Sequence, residues 1–307
     1  MLVTGGSGFI GSRLLRALLD EGADVTVADK NPFPDPGVPT VTGDLTDPRV
    51  REAAVADGTE MIVHLAAVTS VLRSMDDPVR THQVNVEATA GLLELARRRG
   101  VERFVLASTN AVTGDVGSRP ISESIPLRPL TPYGATKAAG EMLLSGYSAS
   151  YGLTGTALRF ANVYGPGMAH KDSFVPRLMR AAAEDRGVQI YGDGDQLRDY
   201  VHVDDIVQAI LLALRTGHTG PLVIGSGRSE SVNDLVTAAR EVTGAALPVE
   251  HVPAKPGEMP AVVLDITAAR ALGYEPRHTL ASGLATAWPD FAPDRAPDRA
   301  PAPEPVR

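Results

Sequence analysis

Seven residues near the amino terminus, Gly5-Gly6-Ser7-Gly8-Phe9-Ile10-Gly11, constrain the fold more than any others. They lie between an apolar stretch, Met1-Leu2-Val3-Thr4, which reads as a short strand, and a helical pattern from Ser12 to Glu21. Gly6, Gly8 and Gly11 satisfy Gly-x-Gly-x-x-Gly, and Gly5, Gly8 and Gly11 equally satisfy Gly-x-x-Gly-x-x-Gly. Between a strand and a helix, such glycines allow a tight turn, close approach of a pyrophosphate to backbone, and close helix–strand packing. The anion then rests on the helix amino terminus, where free N–H groups and the dipole favour it. The next strand, Asp24 to Ala28, ends in Asp29, eighteen positions beyond Gly11. An acid at that place accepts both hydroxyls of an adenosine ribose and repels a 2′-phosphate, so NAD is expected over NADP. Lys30 follows immediately and softens that preference.

The rest of the chain alternates strand and helix patterns at crossover spacing, which predicts an α/β fold with a doubly wound parallel sheet covered on both faces. Further strands are expected at Val38 to Thr42, Met61 to Leu65, Glu102 to Ala107 and Thr154 to Phe160. After the third comes Gly43-Asp44-Leu45, where Asp44 either accepts from an adenine amino group or caps the helix starting near Pro48. Ala66-Ala67 ends the fourth and leaves room for a cofactor against backbone, while His64 reads as a packed strand-end residue. A long helix over 78–99 includes Asn85. The fifth strand delivers Ser108-Thr109-Asn110 at its carboxyl end, the edge where ligands sit in such sheets.

Thr131-Pro132-Tyr133-Gly134-Ala135-Thr136-Lys137 opens a helix to about Tyr151. Tyr133 and Lys137, four apart, fall on one helix face. A free tyrosine deprotonates only near pH 10. A fixed ammonium beside it favours the phenolate and makes it a usable acid–base group. Beyond residue 163 the elements shorten. A helix is expected from Phe174 to about Glu184, a strand at Val188 to Tyr191, a helix to Arg215, a strand at Pro221 to Gly225 and a helix at Val232 to Val242. This predicts a dinucleotide-binding domain over 1–163, to which 201–225 returns, and a smaller substrate lobe over 164–288. The proline-rich stretch 289–307 reads as disordered.

Composition limits the alternatives. A formal charge of −8 argues against a general nucleic-acid binder. With no cysteine, disulfides, thiolate metal sites and cysteine nucleophiles are excluded, and no metal site is expected. No apolar run reaches membrane-spanning length, and the chain opens on a strand rather than a signal core, so a cytoplasmic location is expected.

Together these residues resemble the extended short-chain dehydrogenase/reductase superfamily, and within it the nucleotide-sugar epimerases typified by UDP-glucose 4-epimerase. The likeness runs to about residue 288. It rests on Thr-Gly-Gly-Ser-Gly-Phe-Ile-Gly at 4–11, Asp29, Gly-Asp-Leu at 43–45, His-Leu-Ala-Ala at 64–67 and Asn85. It continues with Ser-Thr at 108–109, Pro-Tyr-Gly-Ala-Thr-Lys at 132–137, Arg-Phe-Ala-Asn-Val-Tyr-Gly-Pro-Gly at 159–167 and Arg-Asp-Tyr-Val-His-Val-Asp-Asp at 198–205. The resemblance implies that Tyr133 is the acid–base residue, that Lys137 holds the nicotinamide ribose and lowers the phenol's pKa, and that Thr109 bonds the reacting hydroxyl. It implies a cofactor site that also uses Phe9, Ile10, Leu45, Leu65, Ala107 and Phe160. Asn110 and Asn162 would meet the sugar diphosphate side, Arg198 would clamp a phosphate, and Gln189 to Tyr191 would flank the base of a UDP-sugar. Pairing of helices 81–99 and 133–151 into a homodimer is implied as well.

In the related 4,6-dehydratases an acid follows Thr109 within two positions, whereas Asn110 and Ala111 stand here. Elimination of water across C5 and C6 then lacks its acid–base partner, which favours simple 4-epimerisation. Thr113 replaces a usual tyrosine, and Lys255 replaces an arginine before Pro-Gly-Glu, whose acid is Glu258. A lysine makes no bidentate phosphate contact. Val262 stands where a bulky gate residue is common, so room for a 2-acetamido group is expected. The rivals are a 4,6-dehydratase or 4-ketoreductase with the same Thr–Tyr–Lys set, and a dinucleotide sensor without turnover.

Overall fold

The computed structural model describes residues 1–254 and 261–292. The strands are β1 (Leu2–Thr4), β2 (Thr26–Asp29), β3 (Thr40–Thr42), β4 (Met61–His64), β5 (Arg103–Thr109), β6 (Thr154–Phe160), β7 (Asn162–Tyr164), β8 (Val188–Tyr191), β9 (Leu197–His202), β10 (Gly220–Ile224), β11 (Ser229–Ser231) and β12 (Val249–Val252). Seven of them form one parallel sheet in the order β10-β6-β5-β4-β1-β2-β3. The order reverses direction between β1 and β4, the topological switch point at which ligands bind in such sheets.

Both faces of the sheet are buried, and the period of two sorts its side chains. Leu2, Ile62, Phe104 and Leu106 point to one face and pack with Leu92, Leu93 and Leu144. Val3, Val27, Val63 and Val105 point to the other and pack with Leu14, Leu15, Ile206 and Ile210. Near-continuous β-branched and leucine runs are what a doubly covered parallel strand requires.

The helices are α1 (Phe9–Asp20), α2 (Pro48–Ala54), α3 (Val71–Asp76), α4 (Pro78–His82), α5 (Ala88–Arg98), α6 (Pro132–Tyr151), α7 (Phe174–Ala183), α8 (Val203–Thr216), α9 (Val232–Thr243), α10 (Thr267–Ala271) and α11 (Leu280–Ala287). The catalytic-candidate helix α6 is tightly bounded. Thr131 caps its start by accepting from the Gly134 N–H, Pro132 occupies the first turn, and Gly152 ends it at φ +71°. The single helix expected over 78–99 is instead α4 and α5 joined by a π-helical segment, Gln83–Glu87. Such wide turns mark functional positions, and this one carries Asn85.

β10 joins the main sheet by pairing with β6, and α8 packs on α1, β5 and β6. The remaining elements build a second core from Leu178, Met179, Leu235, Val236 and Leu284. Two small sheets, β11-β9-β7 and β12-β8, frame it.

Candidate active site

A cavity of about 940 Å³ opens at the carboxyl ends of the strands, between the main sheet and the smaller lobe. The glycine loop forms one wall. Gly5 needs its φ of +72°, and a side chain there would also strike the Ala66 amide. A Cβ on Gly11 would lie 2.2 Å from the Gly5 carbonyl oxygen. Gly8, by contrast, is the N-cap of α1 and offers no side-chain cap. The helix amino terminus thus faces the cavity with no side-chain capping hydrogen bond, which leaves its N–H groups available to an anion.

Asp29 is locked at the end of β2: one carboxylate oxygen accepts from the Ser7 N–H and the other from the Asn31 N–H, both at 3.0 Å. Lys30 turns away from it toward Asp44, 3.2 Å distant. Asp44 lines the cavity and is not the helix cap, which is Asp47. Burial works against its charge. Bonds from the Thr46 amide and hydroxyl, Lys30 and Arg80 more than offset that and hold its carboxyl well below the usual range.

Behind this wall, His64 is a packed strand-end residue, as expected, with its ring nitrogens 2.7 Å from the Thr4 hydroxyl and 2.9 Å from the Thr89 hydroxyl. Burial, aided by the charge of Lys137, pushes its pKa down to about 3.

Asn85 does not reach the cavity. Its side chain accepts from the Val68 N–H at 2.8 Å and donates to the Val68 carbonyl and the Thr136 hydroxyl. It braces the 66–69 loop against α6. Val262 is also a correction. It lies 3% exposed in the sheet's core beside Leu264 and Ile266, and does not line the cavity. The expectation that a small residue there opens the sugar pocket does not hold. Lys255 and Glu258 lie outside the described residues.

At the centre of the cavity β5 and α6 bring Thr109, Tyr133 and Lys137 together. Thr109 accepts from the Ala111 N–H at 3.2 Å, turning the chain at the strand end. Burial pushes the Tyr133 phenol up, and a hydrogen bond with the Thr109 hydroxyl opposes that. Lys137 is buried, and burial brings its ammonium down to about 8 against the pull of Glu141. Its Nζ donates to the Ala107 carbonyl at 2.8 Å. Contrary to expectation the phenol's pKa is raised, and the Lys137 charge expected to lower it is anchored to the strand below.

The remaining residues expected in the site also line the cavity. Phe9, Ile10, Leu45, Leu65, Ala66, Ala67, Ala107 and Phe160 form its apolar walls. Asn110, Asn162, Gln189, Tyr191 and Arg198 lie on the lobe side. The sequence reading missed Met168, Lys171, Phe174, Arg177, Gln196 and Tyr200, which also line it. Lys171 was legible only as a cation in an irregular stretch, and Arg177 only as a cation on the helix expected from Phe174, both weak signals.

Comparison with known proteins agrees with this geometry. The family model described as the NAD dependent epimerase/dehydratase family matches residues 1–225. The chain belongs to that family. A putative UDP-glucose 4-epimerase of Methanocaldococcus jannaschii is 32% identical over 297 residues, spanning 92% of this chain and 95% of the relative. A dTDP-glucose 4,6-dehydratase of Streptomyces griseus is 36% identical over 308 residues, 94% of this chain and 93% of the relative. Among solved structures, the Thermus thermophilus UDP-glucose 4-epimerase in complex with NAD superposes with a TM-score of 0.89 at 35% identity, covering 94% of this chain and 98% of that one.

The cofactor of this epimerase/dehydratase family is NAD, and the cavity fits it. The bare helix start suits the pyrophosphate, and Asp29, already fixed by two amides, has lone pairs left for ribose hydroxyls.

Proposed function

We propose that this chain is an NAD-dependent nucleotide-sugar 4-epimerase acting on a UDP-sugar by transient oxidation at C4. One observation carries the choice within the family. Among the described residues, the carboxylates lining the cavity are Asp29 and Asp44. Asp29 ends β2 and Asp44 follows β3, three and four strands from β5 in the sheet order. At about 4.8 Å per strand, that puts them on the order of 14 Å or more from Thr109. Asn110 and Ala111, which follow Thr109, carry no acid. Elimination of water needs such an acid near C5 and C6; epimerisation needs only proton transfer at the C4 oxygen.

In this reading, Thr109 and Tyr133 hold the C4 hydroxyl, and Tyr133 takes and returns its proton. Bound NAD supplies the hydride acceptor and donor. Asn162 and Arg198 hold the diphosphate, and the Gln189 to Tyr191 strand flanks the base. A homodimer through the helices over 81–99 and 133–151 belongs to this reading; on the second of them Met142 and Tyr151 are each 57% exposed. A cytoplasmic location belongs to the same reading. No helix among the described residues is long and apolar enough to cross a membrane.

The test is incubation of purified protein, without added NAD, with UDP-glucose, UDP-galactose and their N-acetyl counterparts, following anomeric protons by NMR. Interconversion of a 4-epimer pair is expected. A 4-keto-6-deoxy product would make the chain a dehydratase, and no change with UDP- or dTDP-sugars plus NAD would leave a sensor as the better account.

A further inference from the structure

Beneath the proposed catalytic group lies a buried ion pair that the reaction itself does not call for. Glu141 sits one turn beyond Lys137 on α6, and Arg159 lies on β6; they are 4% and 3% exposed. Arg159 Nη2 donates to Glu141 Oε2 at 2.7 Å, and its Nε lies 3.1 Å from both carboxylate oxygens. The Ser108 hydroxyl donates to Glu141 as well. Ser108 and Arg159 are register partners on adjacent strands, so the carboxylate bridges β5 and β6 directly below the site. Arg159 Nη1 is also 3.3 Å from the Glu123 carbonyl.

As a source of stability the pair is a poor choice. Taking two charges out of water costs several kcal/mol each, and apolar residues of the same volume often do as well or better. What the pair does that apolar residues cannot is set charge and register at its neighbours. Tyr133, Lys137 and Glu141 follow one helix face at spacings of four. Two of the three are pinned to β5 on either side of the Ser108 peptide. Lys137 donates to Ala107, and Glu141 accepts from Ser108, the residue before Thr109.

We propose that Glu141, held by Arg159, is a positioning residue that keeps the Lys137 ammonium charged and fixes the Ser108–Thr109 end of β5 against Tyr133. This rests on the reading of Thr109, Tyr133 and Lys137 as the catalytic group. The charges facing Lys137 can be named by element. Glu141 and the Tyr133 phenol face it from α6. From β4 comes His64, whose ring feels the Lys137 charge. From β6 comes Arg159, through Glu141. Burial alone drives the ammonium toward neutrality, and Glu141 opposes it.

The test uses Glu141→Gln and the doubly apolar variant Glu141→Met/Arg159→Met, which removes the carboxylate without leaving a buried unpaired arginine. The chain has four lysines, Lys30, Lys137, Lys171 and Lys255. Their Cε resonances in [13C]lysine-labelled protein can therefore be assigned with Lys137→Met as control. In the double variant, with thermal stability retained, we expect the Lys137 titration to move down by at least about one pH unit. The alkaline limb of the kcat profile should move with it, kcat at pH 8 should fall about fivefold or more, and KM for the UDP-sugar should stay within about twofold. If Lys137 titrates as in the wild type, or activity returns fully with stability, the pair is structural only and the proposal is wrong. Absence of nucleotide-sugar turnover in the wild type would instead overturn the functional reading, while the lysine titration would still decide the role of Glu141.

Discussion

Lys137 donates its ammonium to the carbonyl of Ala107 at 2.8 Å, tying the helix that carries Tyr133 to the strand that carries Thr109. One bond therefore sets the distance between the two hydroxyls that the proposed reaction needs at one C4 oxygen. The helix start is held from the other side. The Tyr133 N–H donates to the Ser74 hydroxyl at 3.1 Å, so the short helix α3 also registers the phenol.

Removing the phenol oxygen should abolish proton transfer and leave the fold alone. Tyr133→Phe is expected to lower kcat by about 10²- to 10⁴-fold, with NAD content and melting temperature unchanged. The check is steady-state turnover alongside cofactor release on denaturation. Retained activity would move the acid–base role elsewhere.

Cofactor choice should respond to Asp29. Its two oxygens are held by the Ser7 and Asn31 amides, so the charge cannot swing away from a 2′-phosphate. Asp29→Ser is expected to narrow the preference for NAD over NADP by about tenfold or more. Competitive binding of the two cofactors to stripped protein measures it. An unchanged ratio would mean that another group discriminates.

Gly11 has no room for a methyl group, because the contact it would make is with backbone, the Gly5 carbonyl. Gly11→Ala should therefore open the phosphate loop and reduce cofactor retention by at least about tenfold, or cost on the order of 1–3 kcal/mol of stability. NAD content and urea unfolding would show which. A variant that is wild-type in both would contradict this close packing of loop on helix.

The buried histidine gives a pH signature. His64 has a folded pKa of about 3, against about 6.5 when unfolded. The unfolded chain therefore binds the proton first. Its contribution to stability is complete above about pH 6.5 and is lost as pH falls toward 3, at up to about 1.4 kcal/mol per unit. His202, lowered to about 4 mainly by burial, acts in the same sense. Urea unfolding at pH 7.5 and 5.0 should show His64→Asn losing about 2 kcal/mol less than the wild type between those values. Equal losses would show that His64 does not carry the effect.

The sheet was legible in the sequence because doubly covered parallel strands are unbroken apolar runs and because the glycine loop has one mechanical reading. The strand Thr154–Phe160 and the helix ending at Tyr151 fall where the pattern put them. The lobe was harder. β7, β11 and β12 went unrecognised because they are short and partly exposed, and β9, buried over Asp199 to His202, because its charged and polar residues break the apolar run. Helix α3 escaped because Leu72 and Met75 are 67% and 53% exposed, which destroys the helical period. The motif positions at Asn85 and Val262 were found, but not where their side chains go. Asn85 spans two elements through Val68 and Thr136, and Val262 turns into the core; tertiary packing decides both.

In the proposed reaction one hydride leaves C4 and returns to its other face while Tyr133 holds the hydroxyl proton. Incubating UDP-[4-²H]glucose with the protein as purified and reading the label by NMR tests this most directly. The expected product is UDP-galactose with deuterium still at C4. Loss of the label to water, or its transfer to C6 in a 4-keto-6-deoxy sugar, would contradict the mechanism.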